Sequence, residues 1–298
     1  MVVDKFGRPV TSLRISVNYE CNYNCFFCHK EGIESTNKLM SPEEIEKVVR
    51  VCAKYGVKKV KITGGEPLLR RDLEEIVRRI AEVDGIEDIS LVTNGYLLKE
   101  RASSLKKSGL NRVNVSIHSL NPDAYRRITG IDGLHRVIDG VDEAIKVGLG
   151  VKINRVILKG VNDEEKLDEL IKFAKERNAS LQIIELEGDE ELMRGYHVSL
   201  DEIEEELNKI GRLKGRKDLH DRPIYEVDGV EVELVKAYRN PDFCMHCTRM
   251  RITPDGMFKP CLFRKDNLVP FLDKLRGGKE IDSLFFLAVS RREPFYKG

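Results

Sequence analysis

Six times in succession a short β-rich run is followed by an amphipathic helical stretch, the alternation that a parallel sheet with helical crossovers requires. The runs are Leu13 to Val17, Val57 to Thr63, Ile89 to Thr93, Arg112 to Ile117, Val151 to Leu158 and Leu181 to Leu186. Six such units fall short of a closed eightfold barrel, so the expected fold is α/β, an incomplete (β/α)6 barrel of the TIM type. The first long helix is the best marked. Ser41 is its N-cap, Pro42 takes the first helical position and Glu44 completes a capping box. Ile45, Val48, Val49 and Cys52 then form one apolar stripe, which makes Cys52 a core residue. Asn162 is expected to cap a helix over Asp163 to Arg177, Ser199 and Glu202 to form another capping box, and Gly109 and Gly148 to stop helices.

After about Ile210 the alternation ends. Asp228-Gly229 joins Ile224 to Val227 with Val230 to Val235 as a hairpin, and Pro254-Asp255-Gly256 forms a further turn. This divides the chain into a barrel over residues 1–210 and a smaller region over residues 211–298. The 51 basic side chains are matched by 50 acidic ones, which excludes a general electrostatic affinity for nucleic acid or membrane and makes any anion site local. No apolar run is long enough to span a bilayer, and Met1 to Val10 lacks the apolar core of a secretory signal, so the expected location is the cytoplasm. In such a chain seven cysteines point to metal or redox chemistry and not to a disulfide framework.

Three of the cysteines stand in Cys21-Asn-Tyr-Asn-Cys25-Phe-Phe-Cys28, directly after the first strand and hence on the rim where barrel enzymes place their chemistry. Three thiolates on one loop can hold three corners of a four-iron cluster and leave one iron open to a small molecule. The alternative is a zinc site completed by a residue such as His29. Gly64-Gly65-Glu66-Pro67 ends the second strand, its glycines permitting close backbone approach. Thr93-Asn94-Gly95 and Ser116 occupy further rim positions. A second set, Cys244-Met-His-Cys247-Thr-Arg249-Met-Arg251, is completed by Cys261, thirteen intervening residues after Cys247. It reads as another three-thiolate cluster beside two arginines suited to an anion, or as a zinc knuckle using His246.

The first cysteine spacing, the aromatic before its last cysteine and the Gly-Gly-Glu-Pro run resemble the radical S-adenosylmethionine superfamily. With the C-terminal set, the resemblance narrows to the GTP 3′,8-cyclase family of molybdenum-cofactor biosynthesis, from about Arg14 to about Phe263. It implies two [4Fe-4S] clusters, on Cys21, Cys25 and Cys28 and on Cys244, Cys247 and Cys261, with S-adenosyl-L-methionine at the first and the guanine ring at the second. Phe27, Gly65 and Ser116 match the family's S-adenosylmethionine contacts; Arg14, Lys61, Thr93, Lys152, Arg249 and Arg251 match its GTP contacts. The implied reaction uses a 5′-deoxyadenosyl radical to take the ribose C3′ hydrogen and joins C3′ to guanine C8, giving (8S)-3′,8-cyclo-7,8-dihydroguanosine 5′-triphosphate, with no protein acid or base. It also implies an electron donor such as a ferredoxin or flavodoxin and transfer of the product to cyclic pyranopterin monophosphate synthase. Oligomeric state is not set by the sequence, a homodimer being one option.

Four departures from the bacterial pattern stand out: Lys61 for arginine, Phe27 for tyrosine, His118 for aspartate, and a tail ending Tyr296-Lys297-Gly298 in place of a double glycine. The competing function is a radical S-adenosylmethionine enzyme that modifies peptides, since such enzymes also carry auxiliary clusters; they usually have more C-terminal cysteines. A non-enzymatic regulator that binds nucleic acid is disfavoured by the balanced charge.

Overall fold

Each of the six expected strands forms within a residue or two of its expected bounds, and the reason lies in what its two faces meet. In the computed structural model, which describes residues 1–296, they are β1 (Ser12–Ser16), β2 (Lys59–Thr63), β3 (Asp88–Thr93), β4 (Arg112–Ser116), β5 (Gly150–Val156) and β6 (Ser180–Ile184). All neighbours from β1 to β6 pair in parallel. Leu13, Ile15, Val60, Ile62, Leu91, Val113, Val115, Ile153, Leu181 and Ile183 are buried in a single hydrophobic core. Crossovers are supplied by α1 (Pro42–Lys54), α2 (Leu73–Ala81), α3 (Leu98–Lys107), the pair α4 (Pro122–Thr129) and α5 (Leu134–Lys146), and α6 (Leu167–Glu176). The capping box of α1 is present in full, with Glu44 N–H donating to Ser41 Oγ and Ser41 N–H donating to Glu44 Oε2, and Cys52 is fully buried. Gly109 and Gly148 follow α3 and α5 with positive φ, as helix stops require.

The other face of the same strands is polar. In an ordinary parallel sheet both faces are apolar; here Arg14, Lys61, Ser90, Asn114, Lys152 and Gln182 alternate with the core residues and line a chamber. The sheet also continues beyond the six strands. β7 (Arg212–Lys217), β8 (Arg222–Val227) and β9 (Val230–Val235) form an antiparallel meander whose last strand pairs in parallel with β6. β10 (Arg249–Ile252) pairs in parallel with β1, and β11 (Met257–Lys259) and β12 (Val269–Pro270) follow antiparallel. Asp228 and Gly229 both have positive φ, the two-residue turn expected for this hairpin. Residues after 210 thus extend the barrel wall on both sides and carry the second cysteine set to its first strand.

Two expected caps do not form. Helix α6 begins at Leu167, because the buried Asn162 amide donates to the carbonyls of His118 and Val156 and accepts from Leu158 N–H, binding the ends of β4 and β5 instead. The helix Asp201–Ile210 starts after fully buried Leu200, and Ser199 Oγ accepts only from Asp201 N–H. No helix among the described residues is long and apolar enough to cross a membrane. The departure at the tail, Lys297 and Gly298, lies outside the described residues.

Candidate active site

The loop after β1 is built around backbone pairing with the loop after β2. Gly65 N–H donates to Asn18 O (3.1 Å), Glu66 N–H to Glu20 O (2.7 Å) and the Asn18 amide to Glu66 O (2.8 Å). A Cβ at Gly65 would lie 2.1 Å from Glu20 O and one at Gly64 2.1 Å from Asn18 Oδ1, so neither position admits a side chain. From this anchor the chain runs through Cys21, Cys25 and Cys28 and is tied back by Asn24 and Phe26 N–H groups to the last turn of α4. Gly65→Ala is therefore expected to weaken the S-adenosylmethionine cleavage that the resemblance implies about fivefold or more, since a displaced backbone carbonyl has no flexible end to yield (about 1–3 kcal/mol for overpacking, at about 1.4 kcal/mol per tenfold). Anaerobic assay of 5′-deoxyadenosine at equal iron content checks it.

Glu66 is buried and accepts from Thr93 Oγ1 (2.7 Å), Asn94 N–H (2.7 Å) and Leu68 N–H (2.9 Å). Burial pushes its carboxyl up to about 7 against these donors. Its carboxylate thus fastens the rim loops after β2 and β3. Thr93 is spent on the same task, since its hydroxyl donates to Glu66 and accepts from Gly95 N–H, and it is not among the chamber's lining residues. Phe27 packs edge-on against His118, with ring centres 4.9 Å apart, in a small apolar cluster with Ile128, Leu158, Leu186 and Met193. Ser116 ends β4 half-buried, in register with Asn154. Phe27, Gly65 and Ser116 therefore stand on the rim with the first cysteines, while the expected nucleotide cations lie deeper.

His118 is a satisfied core residue, its Nδ1 accepting from Val156 N–H (3.2 Å), and burial followed by Arg155 pushes its pKa down to about 3. A histidine near 6.5 in the unfolded chain and near 3 in the fold contributes stability that is present above pH 6.5 and lost as pH falls towards 3. His118→Gln should flatten this dependence by up to about 1.4 kcal/mol per pH unit, measured as the difference between parent and variant in denaturant unfolding from pH 7 to 4.

The chamber encloses about 560 Å³ and is lined by Arg14, Lys61, Lys152, Arg249 and Arg251 together with Cys244, Cys247 and Cys261. Strand register explains the gathering. Arg251, Arg14 and Lys61 are direct neighbours across β10, β1 and β2, and Arg249 alternates with Arg251 on the same face. Two carboxylates that sequence reasoning missed organise these cations. Glu31 accepts from Arg251 Nη1 (2.6 Å) and Arg14 Nε (3.0 Å); although burial works against its charge, the two guanidiniums hold its carboxyl well below the usual range. Glu233 pairs with Lys152 (2.6 Å), Arg222 (2.6 Å) and Lys217 (3.1 Å), and it too is held low against burial. Glu31 immediately follows the first cysteine loop and Glu233 alternates with core residues in β9; neither pattern names its partner in advance. Glu187, also on the wall, keeps one buried oxygen without a hydrogen bond among the described residues.

Arg249 differs from its neighbours. It has no hydrogen-bond or ion-pair acceptor among the described residues, while burial, then Arg251, Arg14 and Arg222, oppose its charge. Lys61 is likewise opposed by burial and by Arg249 and Arg14, and among the described residues its ammonium reaches only Asn114 Oδ1, at 3.3 Å. Since a guanidinium stays protonated in proteins, the chamber holds an unmet demand for negative charge.

All seven cysteines are free thiols. Burial, then the neighbouring thiols Cys28 and Cys21, push Cys25 up to about 12; burial likewise raises Cys244, with Cys261 and Cys247 contributing. Within each trio neighbouring thiols thus lie within electrostatic reach of one another, while Cys247, although burial works against its charge, is held below the ordinary thiol value by Arg292, Arg249 and Arg8. Among the described residues no three Cys, His, Asp or Glu side chains converge as closely as one metal ion requires. Three thiols apiece, with no fourth cysteine in either set, can hold three corners of a four-iron cube and leave one iron of each open.

A partial parallel barrel with a three-cysteine loop after its first strand and a glycine-bearing carboxylate loop after its second is the architecture of a radical S-adenosylmethionine enzyme. Residues 15–174 match the radical SAM superfamily and residues 179–297 match the family described as molybdenum cofactor synthesis C. The chain belongs to the GTP 3′,8-cyclase family of that superfamily: it is 47% identical over 310 residues to "Probable GTP 3′,8-cyclase" of Thermococcus kodakarensis, covering 100% of both chains. It is 46% identical over 297 residues to the protein of the same name from Methanocaldococcus jannaschii, covering 99% of each. Members of this family use S-adenosylmethionine and two [4Fe-4S] clusters. Among solved structures it resembles Streptococcus suis SuiB bound to S-adenosylmethionine, with a TM-score of 0.66 and 18% identity, over 85% of this chain and 60% of that one. It also resembles coproporphyrinogen III oxidase (HemN) from Escherichia coli, with a TM-score of 0.51 and 14% identity over 70% of this chain and 55% of that one. The chain thus spans less than two thirds of either structure, and at these identities the likeness concerns the fold.

Proposed function

We propose that this chain is a GTP 3′,8-cyclase that converts GTP to (8S)-3′,8-cyclo-7,8-dihydroguanosine 5′-triphosphate, the first step of molybdopterin formation. The observation that carries the reading is the cluster of Arg14, Lys61, Arg249 and Arg251 on one face of adjoining strands, with Arg249 lacking an acceptor among the described residues, beside a three-cysteine wall. One-electron cleavage of S-adenosylmethionine at the first cluster supplies the hydrogen-atom acceptor. Cys21, Cys25 and Cys28 hold that cluster; Phe27, Gly65 and Ser116 border its methionine and adenosine, with Glu66 keeping the surrounding loops in place. Cys244, Cys247 and Cys261 hold the second cluster and with it the guanine ring. Arg249, Arg251, Arg14, Lys61 and Lys152 bind the triphosphate, which fixes the ribose between the two ends of the chamber. Thr93 serves by positioning Glu66. No side chain is assigned as acid or base: the hydrogen atom lost from C3′ is balanced by one electron and one proton, so the product is an isomer of GTP.

A ferredoxin or flavodoxin is the proposed electron donor, cyclic pyranopterin monophosphate synthase the recipient of the product, the cytoplasm the location, and a homodimer the assembly. Reconstituted anaerobically with iron and sulfide, then given dithionite, S-adenosylmethionine and GTP, the protein should yield 5′-deoxyadenosine only when GTP is present, together with a GTP isomer on mass spectrometry. Formation of 5′-deoxyadenosine with GTP intact would remove the substrate assignment.

A further inference from the structure

The two ends of the chain meet beneath the second cysteine loop in a charged assembly that the reaction does not consume. Asp4, whose side chain is fully buried, accepts from Arg8 Nε (2.8 Å) and Arg8 N–H (3.0 Å) and pairs with Arg292 Nη1 (3.3 Å). Arg292 is 1% exposed, an unusual burial for a cation. The outward reach of both guanidiniums is specific. Arg8 Nη1 donates to Cys244 O (2.8 Å), Arg292 Nη2 donates to Cys247 O, and Arg292 Nη1 donates to Arg8 O (2.8 Å). Two cations thus grip the carbonyls of two cysteines that bound the loop, and among the described residues the one carboxylate of Asp4 is paired with both.

A buried net positive charge is unfavourable unless something negative stands beside it. Three thiolates outweigh the charge of an oxidised four-iron core, so a cluster held by Cys244, Cys247 and Cys261 supplies that negative charge. We propose that Arg8 and Arg292, joined through Asp4, form a cationic clamp that positions the Cys244–Cys247 loop and raises the reduction potential of the cluster it holds. The inference rests on the assignment of the second cluster to these cysteines. Reduction adds negative charge to the cluster, so a fixed cation at the loop favours the reduced form, and removing that cation shifts the potential downwards. Because the clamp lies at the second cysteine loop and touches none of Cys21, Cys25 and Cys28, the first cluster is an internal control.

The test is an EPR-monitored redox titration of the reconstituted full chain carrying both clusters. Arg292→Gln, which keeps a donor and loses the charge, should shift the second cluster to lower potential and leave the first where it is in the parent. Arg292→Lys, which restores the charge, should sit near the parent; Arg8→Gln should shift in the same direction as Arg292→Gln. Loss of the second cluster from Arg292→Gln with retention in Arg292→Lys is the same charge requirement in stronger form. Unchanged potentials in Arg292→Gln, or equal loss of second-cluster iron from the Gln and Lys variants, would overturn the proposal. Should the parent bind one cluster only, or Cys261→Ala leave both EPR signals intact, the underlying cluster assignment fails and not the clamp alone.

Discussion

Arg249→Ala is expected to weaken GTP binding about 100-fold while leaving the thermal midpoint of the nucleotide-free protein no lower than the parent's. The pairing of these two results is what the geometry dictates. Arg249 is a half-buried cation without a hydrogen-bond acceptor among the described residues, opposed by Arg251, Arg14 and Arg222 more than Cys247 favours it, so most of its favourable pairing waits for an anion. A charge-assisted hydrogen bond to phosphate is worth about 1.5–3 kcal/mol, and at about 1.4 kcal/mol per tenfold its upper end gives the stated loss. Arg249→Lys should recover only part of it, since an ammonium cannot reproduce a two-pronged contact. Equilibrium binding of GTP to reconstituted protein, with iron content matched, supplies the measurement; a variant that binds GTP like the parent would place the triphosphate elsewhere.

Glu233→Ala is expected to have the opposite signature, a loss of about 3–5 kcal/mol in stability from stranding buried charges. Glu233 is 2% exposed and is the shared counterion of Lys152, Arg222 and Lys217. Removing it leaves three cations in one wall of the chamber without their carboxylate. GTP should therefore raise the thermal midpoint of the variant by more than it raises that of the parent, because the triphosphate replaces part of the missing charge and binds only the folded state. The same carboxylate carries a pH dependence. Its folded pKa is held below the unfolded value near 4.5, so its contribution is present above that pH and is lost as the solution is acidified through the folded value. Thermal scans of parent and variant, each with and without GTP, decide the matter; a variant as stable as the parent would mean the three cations find other partners.

What could be read from the chain was mostly local. The capping box at Ser41 and Glu44, the core stripe through Cys52, the hairpin at Asp228-Gly229 and the six strands all depend on near neighbours in sequence, and all are present. Both cysteine trios were legible because their spacing is chemical. The expected helix cap at Asn162 failed because a tertiary demand was stronger: its amide satisfies three backbone groups where β4 and β5 end. Thr93 looked available from its rim position, yet Glu66 claims its hydroxyl. The parallel pairing of β9 with β6 and of β10 with β1 has no local signature, and with it went the partners of Glu31 and Glu233. One signal was present and unused. The alternation of Arg14, Lys61, Asn114 and Lys152 with core residues is a two-residue period inside strands that a parallel sheet would normally make apolar throughout, and it marks the chamber.

In the proposed reaction the chamber holds GTP with its ribose C3′ facing the first cluster. GTP deuterated at C3′ tests it most directly: under anaerobic turnover, mass spectrometry of the 5′-deoxyadenosine formed should show one deuterium per molecule. 5′-Deoxyadenosine free of deuterium, formed while the labelled GTP is consumed, would show that the hydrogen is taken from another position and would rule this arrangement out.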